Sequence, residues 1–153
     1  MEVETEPDDK VLRGFAGYGL KRAWLAVHSE LTSALERFDL KLITYSALAL
    51  IVANPGLRPS QLAELLALER SNLVGFLDQL EKSGLIRRSA SRVDRRAQVL
   101  TATDAGREVC RKATEAIARS EEAMLGQVTQ AERSVLTGAL RKIETAAARL
   151  REE

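Results

Sequence analysis

The chain has very little of the chemistry that catalysis and metal binding draw on. Its 153 residues include one cysteine, Cys110, and one histidine, His28. A single cysteine excludes an internal disulfide, and a lone His with a lone Cys lacks the close ligand spacings of a metal site. No glycine-rich phosphate loop occurs, and no carboxylate pair stands outside the helix surfaces, so neither an enzyme nor a bound cofactor is expected. Long apolar runs are also missing. The stretch from Ile43 to Ala53 is broken by Thr44, Tyr45 and Ser46 and falls far short of the ~20 residues that span a bilayer. The opening residues show no basic and apolar leader pattern, and the expectation is a soluble cytoplasmic protein with no membrane contact.

Net charge of one sign is absent too: 23 Lys and Arg face 22 Asp and Glu, a formal charge of +1. The distribution is uneven. Residues 1–9 carry five acids and no base, whereas Leu85 to Ala97 hold Arg87, Arg88, Arg92, Arg95 and Arg96 against Asp94 alone. A local basic patch on a neutral chain is the pattern of a DNA-binding protein with one reading edge, although the same arginines could form a solvated face.

What is present is helical periodicity. After a flexible acidic tail (1–9), Leu20, Trp24, Val27, Leu31, Leu35 and Phe38 recur every three or four residues, which predicts a long helix over 10–40, weakened at its start by Gly14, Gly17 and Gly19. Leu42 to Ala53 predicts a second, ended by Asn54-Pro55-Gly56. Pro59 suits the first position of a third, to Leu66, with Leu62, Leu65 and Leu66 inward. A fourth, Arg70 to Ser83, turns Leu73, Phe76 or Leu77, and Leu80 to the core before Gly84 closes it. Leu85–Ser89 and Ala97–Thr101 flank a charged tip and read as a hairpin. Thr103 caps a helix from Asp104 to about Gln127, and Thr129 with Glu132 forms a capping-box pattern before a last stripe of Leu136, Leu140, Ile143, Ala147 and Leu150. Two short helices joined by a tight turn and followed by a basic hairpin are the parts of a winged helix-turn-helix. The fold class expected is mainly α with a small β-hairpin wing: a DNA-binding lobe over 41–107, with dimerisation helices at 10–40 and 108–153.

The run from Leu57 to Gly106 resembles the MarR (multiple antibiotic resistance regulator) family. The resemblance is carried by Asp94-Arg95-Arg96 with Gly106 ten residues beyond Arg96, by Thr103, and by Leu80-Glu81-Lys82-Ser83-Gly84-Leu85-Ile86. Three positions depart from the family pattern. Ala102 stands where a leucine is common and loosens packing under the wing, Glu69 stands where a small capping residue begins the recognition helix and repels phosphate, and Gly75 thins base readout.

The resemblance implies a homodimer on a palindromic operator in double-stranded DNA. Ser71 and Asn72 fall in the first turn of the recognition helix, where asparagine can pair bidentately with adenine; Val74 can touch a thymine methyl, and Arg70 can hold a phosphate or a guanine edge. Ser71 and Asn72 are also ordinary helix-start residues. In the wing the family pattern sends Arg96 into the minor groove, steadied by Asp94, with Arg92 and Arg95 on phosphates, while Arg87 and Arg88 alternate so that at most one faces DNA. The family further implies a repressor released by a small aromatic acid or its coenzyme A thioester. Trp24 and His28, one turn apart, with Tyr45, are candidates to line the effector pocket; the other assignment puts Trp24 in a dimer core and His28 in the interface. Two alternatives stand beside this reading: a winged-helix module that binds another protein, and an oxidant sensor in which Arg107 and Arg111 activate the Cys110 thiol.

Overall fold

The computed structural model describes residues 8–91 and 96–151. The elements run α1 (Lys10–Arg13), α2 (Ala16–Glu36), α3 (Leu42–Ala53), α4 (Pro59–Leu65), α5 (Arg70–Lys82), β1 (Ile86–Ala90), β2 (Gln98–Ala102), α6 (Asp104–Leu125) and α7 (Gln130–Arg149). They fall into two compact units, one up to Ser120 and one from Glu121 on.

The first unit is built around α3, which is apolar on every side and buries Thr44, Ala47, Leu48 and Ile51. A helix without a polar face must be enclosed. Around it gather Leu35, Leu62, Leu73, Leu77, Leu80, Ile86, Leu100, Cys110 and Ala113, all buried. Thr44 is fully buried yet satisfied, since its Oγ1 accepts the Lys41 N–H at 2.9 Å and donates to the Lys41 carbonyl at 3.0 Å. Ala102 packs against this core and closes the ladder opposite Ile86.

Several elements differ from the sequence expectation. The first helix is two helices: the chain breaks at Gly14 and Phe15, where Phe15 is extended (φ −103°, ψ 125°) and α2 restarts at Ala16. Gly14 has the weak helix preference that lets the break form. Asp9, placed in the acidic tail, instead accepts hydrogen bonds from Arg13 Nε at 2.6 Å and the Tyr18 hydroxyl at 2.8 Å. Both donors hold its carboxyl below the ordinary aspartate range, Tyr18 contributing most. Leu65 was expected inward but is 59% exposed. Because α4 buries Leu62 and Ala63, its inward face is centred between them and Leu66, which leaves Leu65 outside.

The turn between α4 and α5 is a Schellman motif. Leu68 N–H reaches the Ala63 carbonyl (2.9 Å) and Ala67 N–H the Glu64 carbonyl (3.1 Å). The left-handed residue is Ala67, at φ +51°, where glycine is usual. The same motif ends α5, now with Gly84 at φ +70°: Leu85 N–H bonds Leu80 O (3.0 Å) and Gly84 N–H bonds Glu81 O (2.9 Å).

The hairpin is antiparallel, with Ile86 opposite Ala102 and Ala90 opposite Gln98, and each strand sits one residue later than its apolar pattern indicated. Its root is fixed twice. Leu100 exchanges backbone contacts with Gly56 and Leu57 (Gly56 N to Leu100 O 3.0 Å, Leu100 N to Leu57 O 2.9 Å), which adds a short third pairing to β2. Thr103 Oγ1 donates to the Gly84 carbonyl at 2.6 Å and accepts the Gly106 N–H at 2.9 Å, capping α6.

In the second unit, Thr129 caps α7 with Glu132 returning to the Thr129 N–H at 2.8 Å. Arg133 holds Glu122 (2.6 Å) and the carbonyls of Leu125 and Val128, locking the elbow before α7. The apolar stripe of α7 is uncovered: Val135, Leu136, Leu140, Ile143 and Leu150 are all exposed. Among the described residues, no helix is long and apolar enough to cross a membrane.

Candidate nucleic-acid interface

The second helix of the pair, α5, buries Leu73, Leu77 and Leu80 and thereby turns its other side out. Arg70, Ser71, Asn72 and Val74 are all exposed, in the first turn and a half. Glu69 takes an extended N-cap conformation but its side chain makes no capping bond. That leaves the first N–H groups of α5 uncapped by a side chain, with the positive end of the helix dipole facing outward. Beside this helix start lies a hollow of about 460 Å³ between α4 and α5, lined among others by Ser60, Glu64, Glu69, Arg70 and Ser71. Gly75 is exposed with open space at its Cβ position.

The hairpin supplies the second surface. Arg87 and Arg96 are exposed, and Arg96 lines a hollow of about 290 Å³ with Arg88, Ser89 and Gln98. Arg92, Asp94 and Arg95 lie outside the described residues. Alternation along β1 separates the two neighbouring arginines. Arg88 turns inward, its guanidinium meeting Asp78 and Glu81 of α5, and its backbone N–H donating to Glu81 at 3.1 Å. Arg87 is therefore the outward member. Sequence reading left this pair undecided because a helix-to-strand contact has no period of its own.

The candidate effector residues are placed apart. Trp24 and His28 form a tilted ring pair with centroids 5.1 Å apart and planes at 59°, and both are exposed on α2. Tyr45 is half-buried on α3 and shares a 3.0 Å hydrogen bond with Thr114 of α6. Among the described residues, no ring contact or hydrogen bond joins Tyr45 to Trp24 or His28.

Cys110 is 6% exposed, and burial pushes its thiol up from the ordinary value, against a smaller opposing hydrogen bond with Thr114. The two arginines expected to activate it are engaged elsewhere: Arg107 with Asp104 and the Ala102 carbonyl, Arg111 with Glu108 and Glu115. A reactive thiolate needs the opposite surroundings.

Residues 42–97 match the model of the MarR family. A putative transcriptional regulatory protein for the hcr operon of Thauera aromatica is 30% identical over 133 residues, covering 86% of this chain and 80% of that protein. The chain belongs to the MarR family. It is a transcriptional regulator and not an enzyme. Among solved MarR-type structures, the transcriptional repressor CouR bound to a 23-mer DNA duplex superposes with a TM-score of 0.86 at 33% identity, over 92% of this chain and 99% of that one. A CouR chain bound to p-coumaroyl-CoA superposes at 0.81 with 31% identity, over 91% and 98% of the two chains. The mainly helical winged helix-turn-helix of the MarR family is thus the fold expected from the order of elements.

Proposed function

We propose that this MarR-family regulator is a homodimeric repressor that binds a palindromic operator and leaves it when an aromatic acid, as its coenzyme A thioester, binds. The observation that carries the DNA reading is the joint exposure of the α5 first turn and the hairpin arginines on a chain that superposes over 92% of its length on a DNA-bound repressor. In this reading Asn72 and Ser71 meet base edges, Val74 meets a thymine methyl, Arg70 meets a phosphate or guanine, and Arg96 enters the minor groove. From the sequence, Arg92 and Arg95 add phosphate contacts and Asp94 steadies Arg96. Arg58, exposed at the start of α4, adds a further phosphate contact where the first helix of the pair crosses the backbone. A protein-binding use of the winged lobe has no comparable support.

The dimer reading rests on uncovered apolar surface. Val11, Leu12, Phe15 and Leu25 near the start of the chain are exposed, as is the stripe on α7. Apolar surface of this extent marks an interface, and a two-fold dimer matches a palindrome. Effector release is a population shift: the thioester binds more tightly to the dimer whose two recognition helices do not fit successive major grooves. The choice of thioester follows the CouR chain bound to p-coumaroyl-CoA, and Trp24 with His28 offers the aromatic end a ring face and a hydrogen-bonding nitrogen.

Footprinting on the DNA upstream of the protein's own coding sequence tests this. The expected result is a two-fold symmetric protected site that is lost on adding an aromatic coenzyme A thioester. Protection that persists or strengthens with thioester contradicts the release step, and the absence of any protected site contradicts the operator reading.

A further inference from the structure

Nearly every cation on the first unit's part of α6 has an acid in reach. Arg107 meets Asp104, Arg111 meets Glu108 and Glu115, and Lys112 meets Glu108. Arg119 forms no ion pair among the described residues, and the reason is local. Glu115, one turn before it, is held by Arg111, and Glu122, three residues after it, is held by Arg133. Arg37, at the end of α2, likewise forms no ion pair among the described residues; its guanidinium lies over the Phe38 ring, 4.8 Å from the centroid.

These two arginines share a groove. A hollow of about 280 Å³ is lined by Ser33, Ala34, Arg37, Ala116 and Arg119. A second, of about 310 Å³, again includes Arg37 and Arg119, now with Phe38 and Lys112. Glu115 also lines it and is the one carboxylate there, already neutralised by Arg111. Two uncommitted guanidiniums on facing helices, with an ammonium beside them and a serine hydroxyl on the near wall, form an anion-binding cradle. The planar fork of arginine suits two oxygens of one phosphate, and stacking on Phe38 reduces the freedom Arg37 loses on binding.

We infer that the groove between the end of α2 and the middle of α6 binds the phosphoanhydride of coenzyme A, and so anchors the nucleotide tail of the effector. The inference rests on the proposed thioester effector and locates the part of it that a free aromatic acid lacks. The groove contains none of the residues assigned to DNA, so effector anchoring and operator contact are separable by substitution. It also makes the regulator respond to the activated thioester over the free acid, because the tail supplies binding that the acid cannot.

The test is isothermal titration of the full chain with coenzyme A itself, carrying no acyl group, on wild type and on Arg37→Gln and Arg119→Gln, with Lys82→Gln on α5 as a control. Charge-assisted bonds of this kind predict about a 10- to 100-fold weakening in each groove variant and no change in the control. No binding of coenzyme A to wild type, or equal binding to both groove variants, overturns the inference. Operator release by an aromatic thioester, followed on the same proteins, separates the two readings. Arginine-dependent coenzyme A binding without release keeps the groove and removes the effector assignment. Release that is equally efficient from both variants keeps the effector and removes the groove.

Discussion

Arg88 on the first strand of the wing is tied to Glu81 on the recognition helix through both its backbone N–H, at 3.1 Å, and its guanidinium, at 3.4 Å. Asp78, one turn earlier on α5, meets Nη2 of the same guanidinium. The pairs lie in a half-buried setting in which only 21% of the Arg88 side chain is exposed. The wing and the recognition helix are therefore fixed to each other and not only to the core.

Arg88→Ala removes the guanidinium part of this tether, leaving Asp78 without its cation and Glu81 with only the backbone N–H of residue 88. A loss of about 1–2 kcal/mol in unfolding free energy is expected from urea titration, since charged hydrogen bonds in partly shielded sites are worth about this much. Weaker operator binding accompanies it at temperatures where the variant is fully folded. Unchanged affinity and stability would show that the core alone sets the position of the wing.

Gly106 marks a position where no side chain fits. A Cβ built there lies 1.9 Å from the Leu85 carbonyl oxygen, a backbone atom that cannot rotate away. Gly106→Ala must push α6 from the start of the wing and disturb the Thr103 cap, at a cost of about 2–3 kcal/mol. Thermal unfolding checks this, with Gly138→Ala as the comparison because its Cβ position is open.

Ala67 carries the opposite expectation. At φ +51° it bears a left-handed conformation that costs an alanine about 1–2 kcal/mol, of which the greater unfolded-state freedom of glycine takes back part. Ala67→Gly should stabilise the protein by about 0.5–1 kcal/mol without altering the recognition surface, measurable as a raised urea midpoint with an unchanged slope.

Acid sensitivity has a traceable source on α6. Hydrogen bonds from Arg111 and then Lys112 bring the Glu108 carboxyl down to about 2. A carboxylate whose folded value is lowered contributes stability that is present above the ordinary glutamate range and lost as pH falls through the folded value. The expected window is from about pH 4.5 down to about 2, and the contribution is small because the pair is on the surface. Glu108→Gln should therefore lower the unfolding temperature slightly at neutral pH, leave it unchanged near pH 2, and so flatten its fall across that window.

The parts of the fold written in short-range pattern were legible in the sequence. Pro59, Gly84, Thr103 and the Thr129–Glu132 pair each mark an element boundary by local backbone chemistry, and each stands at such a boundary in the structure. Long-range contacts were not legible. The pairing of Leu57 with Leu100, the Arg88 tether and the exposure of Leu65 depend on which elements meet, which periodicity in one helix or strand does not encode. The break at Gly14 was visible only as a weakness, because whether a glycine ends a helix depends on partners such as Asp9 for Arg13 and Tyr18. At the candidate interface, the exposed positions of Arg70, Ser71, Asn72 and Val74 follow from burying Leu73, Leu77 and Leu80, so the stripe that predicts the core also predicts which residues face outward. The candidate effector residues had no such constraint, and Tyr45 is engaged with Thr114 instead.

The most direct test of operator recognition is fluorescence anisotropy of the protein's own upstream DNA with wild type, Arg96→Ala and Asn72→Ala, each titrated at two salt concentrations. Recognition by the α5 first turn and the wing predicts tight, salt-sensitive binding by wild type. Asn72→Ala should lose about 1–3 kcal/mol of discrimination against a mismatched operator, and Arg96→Ala should bind more weakly with a salt slope shallower by about 1. Binding that is equally tight and equally salt-dependent in all three proteins would contradict it.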